Sequence, residues 1–213
     1  MASRNSSQNG RAPQRRRGHE RVATLLSAAS DCFVAKGYDA TTMTEIAAKA
    51  EASIGSLYQF FPTKEALAEA LLHQHAEALY ARMERLLAQT PGWTTEELAT
   101  RLLRTFADYR RQQPAYVVLV EAAQTLPSML GRTIRQRMRD YLCQILAIHA
   151  PDIAAGDLRP AATVVQQLMK SAVALHGEQP VALRQAAQTQ LQRALTLYLH
   201  DLAGTRESTR TYA

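Results

Sequence analysis

The sequence predicts an all-α protein, and three observations carry that expectation. Hydrophobic residues make up 46% of the 213 residues, enough for a sizeable core, and Ala and Leu dominate while β-branched runs are few. Apolar positions recur at three- and four-residue steps, with none of the strict alternation that marks a half-buried strand. Ser or Thr caps, prolines and glycines punctuate the chain where helices would begin and end.

In chain order, Val22, Leu25, Leu26, Ala29, Cys32 and Phe33 form one apolar face of a helix over 19–36, and Gly37 follows as its left-handed C-terminal residue. Thr42 and Glu45 have the spacing of a capping box, opening a short helix through Ala50. Ser53 caps a second short helix, 54–61, and Thr63 caps a long one that runs to about residue 88. The stretch QTPGW, 89–93, is the clearest break. Beyond it, Thr94 and Glu97 make another capping box for a helix that stops at Gln113-Pro114. Helices then follow over 116–126, 131–149, 161–176 (started by Pro160) and 181–203 (started by Pro180 and ended by Gly204). That makes about nine helices.

Charge is unevenly placed. Residues 1–21 carry six Arg against one Glu, a net +5 of the chain's +6. The excess therefore belongs to a basic arm, expected to be disordered over 1–17 and suited to a polyanion. No apolar run reaches the roughly 18 residues that cross a bilayer, and the Arg-rich start is unlike a secretory signal. Cys32 and Cys143 sit in apolar helical patterns and read as buried, reduced thiols, which fits a cytoplasmic protein without a membrane partner. His73 and His75 point to different helix faces, a poor metal arrangement, and no catalytic motif is present. Neither a metal nor a cofactor is expected.

The two short helices, 42–50 and 54–61, joined by three residues, have the spacing of a helix-turn-helix. Ile46, Ala50, Ala52, Leu57 and Phe60 fall where that pair must pack, and Ala47 is small where the helices cross. Gly55 is the odd residue, because glycine costs a helix interior about 1 kcal/mol relative to alanine. Its place in the first turn suits close approach of a DNA backbone, with Tyr58 and Lys64 at hand for phosphates. The residues alone leave two other readings open: a helical adaptor, and a small-molecule-binding protein or helical enzyme with no DNA role.

The stretch TTMTEIAAKAEASIGSLYQFFPTKEAL, preceded by FVAKGYDA, resembles the DNA-binding domain of TetR-family (tetracycline-repressor-like) regulators over about residues 17–72. The resemblance implies a helix-turn-helix domain over 18–62, a connecting helix over 63–90, a ligand-binding and dimerisation domain over 91–204 and a flexible tail over 205–213. It implies a homodimer that binds double-stranded operator DNA as a repressor and is released by a small-molecule effector. Carried over by position, Thr42, Ser56, Tyr58 and Lys64 would contact phosphates, while Thr44, Ser53, Ile54, Gly55 and Gln59 would face the major groove. The family usually has glycine in the turn where this chain has Glu51.

In the remainder, Val164, Leu168 and Leu175 on one helix and Leu191, Leu195 and Tyr198 on the next form apolar stripes, part of which must be intramolecular core; the resemblance implies that these two helices pair with their counterparts at the dimer interface. Phe106, Tyr109, Val120, Gln124, Met138, Gln167 and Met169 mix apolar volume with polar groups and are the expected effector pocket. Arg132, Arg135, Arg137 and Arg139 form a basic cluster, read either as solvated surface or as a receptor for an anionic effector.

Overall fold

The computed structural model describes residues 11–125, 129–175 and 178–204; for 11–15, 121, 123–125 and 129–131 the backbone alone is described. Among them are nine α-helices: α1 (Arg11–Ala40), α2 (Met43–Lys49), α3 (Ile54–Phe60), α4 (Lys64–Gln89), α5 (Thr95–Gln112), α6 (Pro114–Thr125), α7 (Met129–His149), α8 (Ala155–Ala174) and α9 (Val181–Gly204). A 3₁₀ turn, Thr90–Gly92, joins α4 to α5. No described residue is in a strand, so the all-α expectation holds.

The chain divides into two compact units, Met1–Gln74 with Pro114–Pro127, and His75–Gln113 with Ser128–Ala213. In the first unit, Leu25, Ala29 and Phe33 of α1 meet a core completed by Ile46, Leu57 and Leu67, each fully buried. α6 packs along α1 in this same unit. Within the span 91–204, α6 groups with the first unit. In the second unit, α8 packs on α7, α5 and α9. Its core includes Leu79, Met83, Leu98, Leu102, Leu142, Ile145, Val165 and Leu199, all fully buried.

Several helix ends differ from expectation. α1 begins at Arg11, so residues 11–17 of the expected disordered arm are helical; residues 1–10 lie outside the described set. Gly37 has φ 79° and ψ 169°, positive as expected but extended in ψ, a region essentially reserved for glycine. α1 thus kinks at Gly37 before its last residues, and the Thr41 hydroxyl donates to the Gly37 and Cys32 carbonyls at 2.7 and 3.2 Å. Pro160 lies inside α8 and does not start it, so the helix forgoes one hydrogen bond to Gly156. The expected tail, 205–213, lies outside the described residues.

Candidate nucleic-acid interface

α2 and α3 are each only seven residues long, and local hydrogen bonds fix their ends. The Thr42 hydroxyl accepts from the Glu45 backbone N–H, and the Glu45 carboxylate accepts from the Thr42 N–H at 3.0 Å. Glu45 is also ion-paired with Lys36, and that bond, with the two from Thr42, holds its carboxyl down to about 2. At the other end of α2, the Ala52 N–H donates to the Ala47 carbonyl and the Glu51 N–H to that of Ala48, at 2.9 and 3.1 Å. This is a complete Schellman motif, and it requires a left-handed residue at its penultimate position. Glu51 supplies it at φ 48°, where a glycine would be unstrained. Ser53 then caps α3 by accepting from the Ser56 N–H at 3.1 Å.

The packing that holds the pair together comes from Ile46, Ala47, Ala50, Leu57 and Phe61, all buried. Ala52 is half-buried. Phe60, expected in this core, is 39% exposed; the chain turns extended at Phe61 and sends that ring inward instead. What α3 leaves outside is a contiguous face: Ser53, Ile54, Gly55, Tyr58, Gln59 and Phe60 are exposed and Ser56 is half-buried. Thr42 and Thr44 are exposed beside them on the preceding segment. Three large apolar side chains in the open on one seven-residue helix are not a solvated face of the usual kind.

Gly55 sits in the middle of this surface. A Cβ placed on it meets nothing within 4 Å among the described residues, and its φ is not in the left-handed range. Neither packing nor backbone geometry inside the chain requires a glycine there.

Lys64 is placed differently from expectation. Its ammonium donates to the carbonyls of Tyr38, Asp39 and Thr41 at 2.9, 3.1 and 3.0 Å and lies over the Tyr38 ring. All three of its protons are used within the chain, so in this structure it ties α4 to the segment after α1 and is not free for a phosphate. Thr42 is likewise committed, because its hydroxyl donates to Glu45 as well as accepting from it.

The expected pocket residues do not line one described cavity. Met138 and Met169 are buried core, Gln167 is exposed and Phe106 is half-buried. Tyr109 is buried and donates to the His75 carbonyl at 2.5 Å, and burial pushes its phenol up to about 12. Val120 belongs to the first unit, and the Gln124 side chain lies outside the described residues. Of the expected interface set, Val164 is exposed and Leu168, Leu175, Leu191 and Tyr198 are half-buried. Leu195 is corrected: it is fully buried in its own chain and has no surface to offer a second copy. Sequence reasoning missed Val181, Leu183 and Leu197, which are about half exposed, and the polar pair Gln166 and Lys170. Cys32 and Cys143 are half-buried where full burial was expected, and desolvation pushes both thiols up.

A capped helix-turn-helix with an exposed second helix has the layout of a DNA-reading module. Family models agree. Residues 25–71 match that of bacterial regulatory proteins of the tetR family, and residues 94–199 match a tetracyclin repressor-like C-terminal domain. The chain belongs to the TetR family, whose members are DNA-binding transcriptional regulators and not enzymes. It is 43% identical over 68 residues to the HTH-type transcriptional regulator YvkB of Bacillus subtilis, covering 32% of this chain and 34% of that one. To the HTH-type transcriptional repressor KstR2 of Mycolicibacterium smegmatis it is 29% identical over 140 residues, 64% of this chain and 66% of that one. The chain spans about a third of the length of the curated relatives it matches first. Among solved structures, the transcriptional regulator FadR of Bacillus subtilis in complex with stearoyl-CoA shares the fold, with a TM-score of 0.62 at 16% identity, over 85% of this chain and 97% of that one.

Proposed function

We propose that the protein is a homodimeric repressor acting on DNA in the cytoplasm, released from a palindromic operator when a small-molecule effector binds the second unit. The observation that carries the DNA-reading part is the open face of α3, where Ile54, Tyr58 and Phe60 are exposed around Gly55, a position with no side chain and nothing within 4 Å of where a Cβ would stand. An approaching DNA backbone or base edge accounts for the empty position. Ser53, Ile54 and Gln59, with Thr44, then face the major groove, where Gln59 can pair with adenine and Ile54 can meet a thymine methyl. Ser56 and Tyr58 serve phosphates, while Thr42 and Lys64 hold the module in shape.

Two such modules, spaced by roughly 34–36 Å, match successive major grooves of a two-fold operator. The proposed dimer face is the outer surface of α8 and α9, where Val164, Val181, Leu183 and Leu197 are exposed and Leu168, Leu175, Leu191 and Tyr198 are half-buried. KstR2 is a repressor and FadR binds stearoyl-CoA, which supports repression and effector control here. Sedimentation of the protein and of a Val164→Glu, Leu197→Glu double variant tests the assembly. A dimer for the parent and a monomer for the variant, with helical content retained and operator binding lost, is the expected result. A variant that still sediments as a dimer would move the interface elsewhere.

A further inference from the structure

The four arginines of α7 do not form one surface cluster. Arg137 turns to Glu77 at 3.2 Å and stacks on the Tyr80 ring, 4.2 Å from its centroid, and Arg132 is exposed. Arg135 and Arg139, one helical turn apart, are half-buried on the side of α8. There Gln166, only 2% exposed, donates its amide to the Arg135 carbonyl at 3.1 Å and accepts from Arg139 Nη2 at 3.3 Å. The Nε–H of Arg139 is fully buried and has no hydrogen-bond partner among the described residues. One turn beyond Gln166, Lys170 is also half-buried. Burial first, then the charges of Arg135 and Arg139, push its pKa down.

Three cations thus converge around one buried amide. Among the described residues, three carboxylates of α4 and α7 are committed elsewhere: Asp140 to Arg159 at 3.1 Å, Glu77 to Arg137, and Glu84 to the Tyr141 hydroxyl at 2.6 Å. Like charges drawn together with a buried donor left over are unfavourable until an anion arrives. We propose that Arg135, Arg139 and Lys170, organised by Gln166, form a receptor for the carboxylate or phosphate group of an acidic small molecule. Its role as the effector site rests on the effector-controlled reading above; the receptor itself does not.

The chemistry suits such a group. A guanidinium presents a planar fork that matches two oxygens of a carboxylate or phosphate, and Lys170 adds a point charge from the facing helix. Bound oxygens would satisfy the Arg139 Nε–H and separate the three charges. Met138 and Met169, fully buried on the same two helices, are flexible side chains that can re-pack around an apolar body attached to the acid.

The test uses the full chain, titrated separately with sodium phosphate and sodium octanoate at an ionic strength held constant with sodium chloride. Binding is read by calorimetry and by melting temperature. The receptor predicts saturable binding of at least one probe, and which one answers identifies the head group. Arg139→Gln and Lys170→Met should each weaken that binding about tenfold to a hundredfold, the range for losing one charge-assisted hydrogen bond. Without the anion, Lys170→Met should melt above the parent because it removes repulsion, and saturating anion should cancel that advantage. No saturable binding of either probe, or variants that bind as tightly as the parent, would overturn the receptor. Saturable binding that leaves operator affinity unchanged would retain the receptor and remove its regulatory role.

Discussion

Replacing Gly55 by alanine separates the two demands on α3. Inside the chain the change should be favourable. The added Cβ meets nothing within 4 Å, φ needs no adjustment, and alanine is better than glycine in a helix by about 1 kcal/mol. For a protein of this size that gain raises the melting temperature by about 2–4 °C. Against DNA the same methyl group occupies the space kept for a backbone or base edge. A loss of tenfold or more in operator affinity, about 1.4 kcal/mol, is therefore expected. Thermal melts followed by circular dichroism give the first quantity, and fluorescence anisotropy with a labelled operator duplex gives the second. Stability should therefore rise while binding falls. A Gly55→Ala protein that is less stable would mean the glycine serves the fold, and one that binds the operator as tightly as the parent would mean α3 does not approach DNA there.

Glu51→Gly relaxes the left-handed residue of the Schellman turn and removes a negative charge beside the proposed DNA face. It should raise stability by about 1 kcal/mol in urea unfolding and tighten operator binding, and a loss of stability would refute the strain argument. Lys64→Met removes the ammonium that joins three carbonyls. It should destabilise the fold by about 2 kcal/mol, the scale for hydrogen bonds to a charged group, and unchanged unfolding would return Lys64 to a pure DNA-contact role. His75 and His149 are both held below the ordinary histidine value, His75 by burial and His149 by burial and then by the charge of His200. A lowered folded pKa favours the neutral ring in the folded state, so their contribution is present above about pH 6.5 and is lost as pH falls through the folded values. Melting temperature should fall between pH 7.5 and 5, and His75→Leu should flatten part of that slope.

What could be read from the sequence was what local chemistry determines. The Thr42–Glu45 and Thr94–Glu97 capping boxes close within three residues, and both form as spaced. The left-handed residue at Glu51 was signalled only by the resemblance, which puts glycine at that place in the turn. What escaped depends on partners distant in sequence. Which of Phe60 and Phe61 is buried turns on the extended backbone at Phe61, not on periodicity. The engagement of Lys64 rests on carbonyls 23 to 26 residues away. α6 is apolar on most sides, so its pattern cannot say that α1 is its neighbour. Leu191 and Leu195 share one helical stripe, and only the packing of α9 on α5 and α8 leaves the first half-buried and the second fully buried. The Arg135, Arg139 and Lys170 group was half legible: the arginines stood out, but the facing Gln166 and Lys170 become significant only when α7 and α8 lie together.

The most direct measurement is selection of the purified protein from a random pool of DNA duplexes, followed by the salt dependence of the enriched sequence. Enrichment of a palindrome whose half-sites lie about one helical turn apart, with binding that weakens on Gly55→Ala, is the result predicted for a dimer that reads DNA through α3. Steeply salt-dependent binding without enrichment, abolished by removing residues 1–17, would place DNA affinity in the basic N-terminal residues alone and contradict the role assigned to the helix-turn-helix.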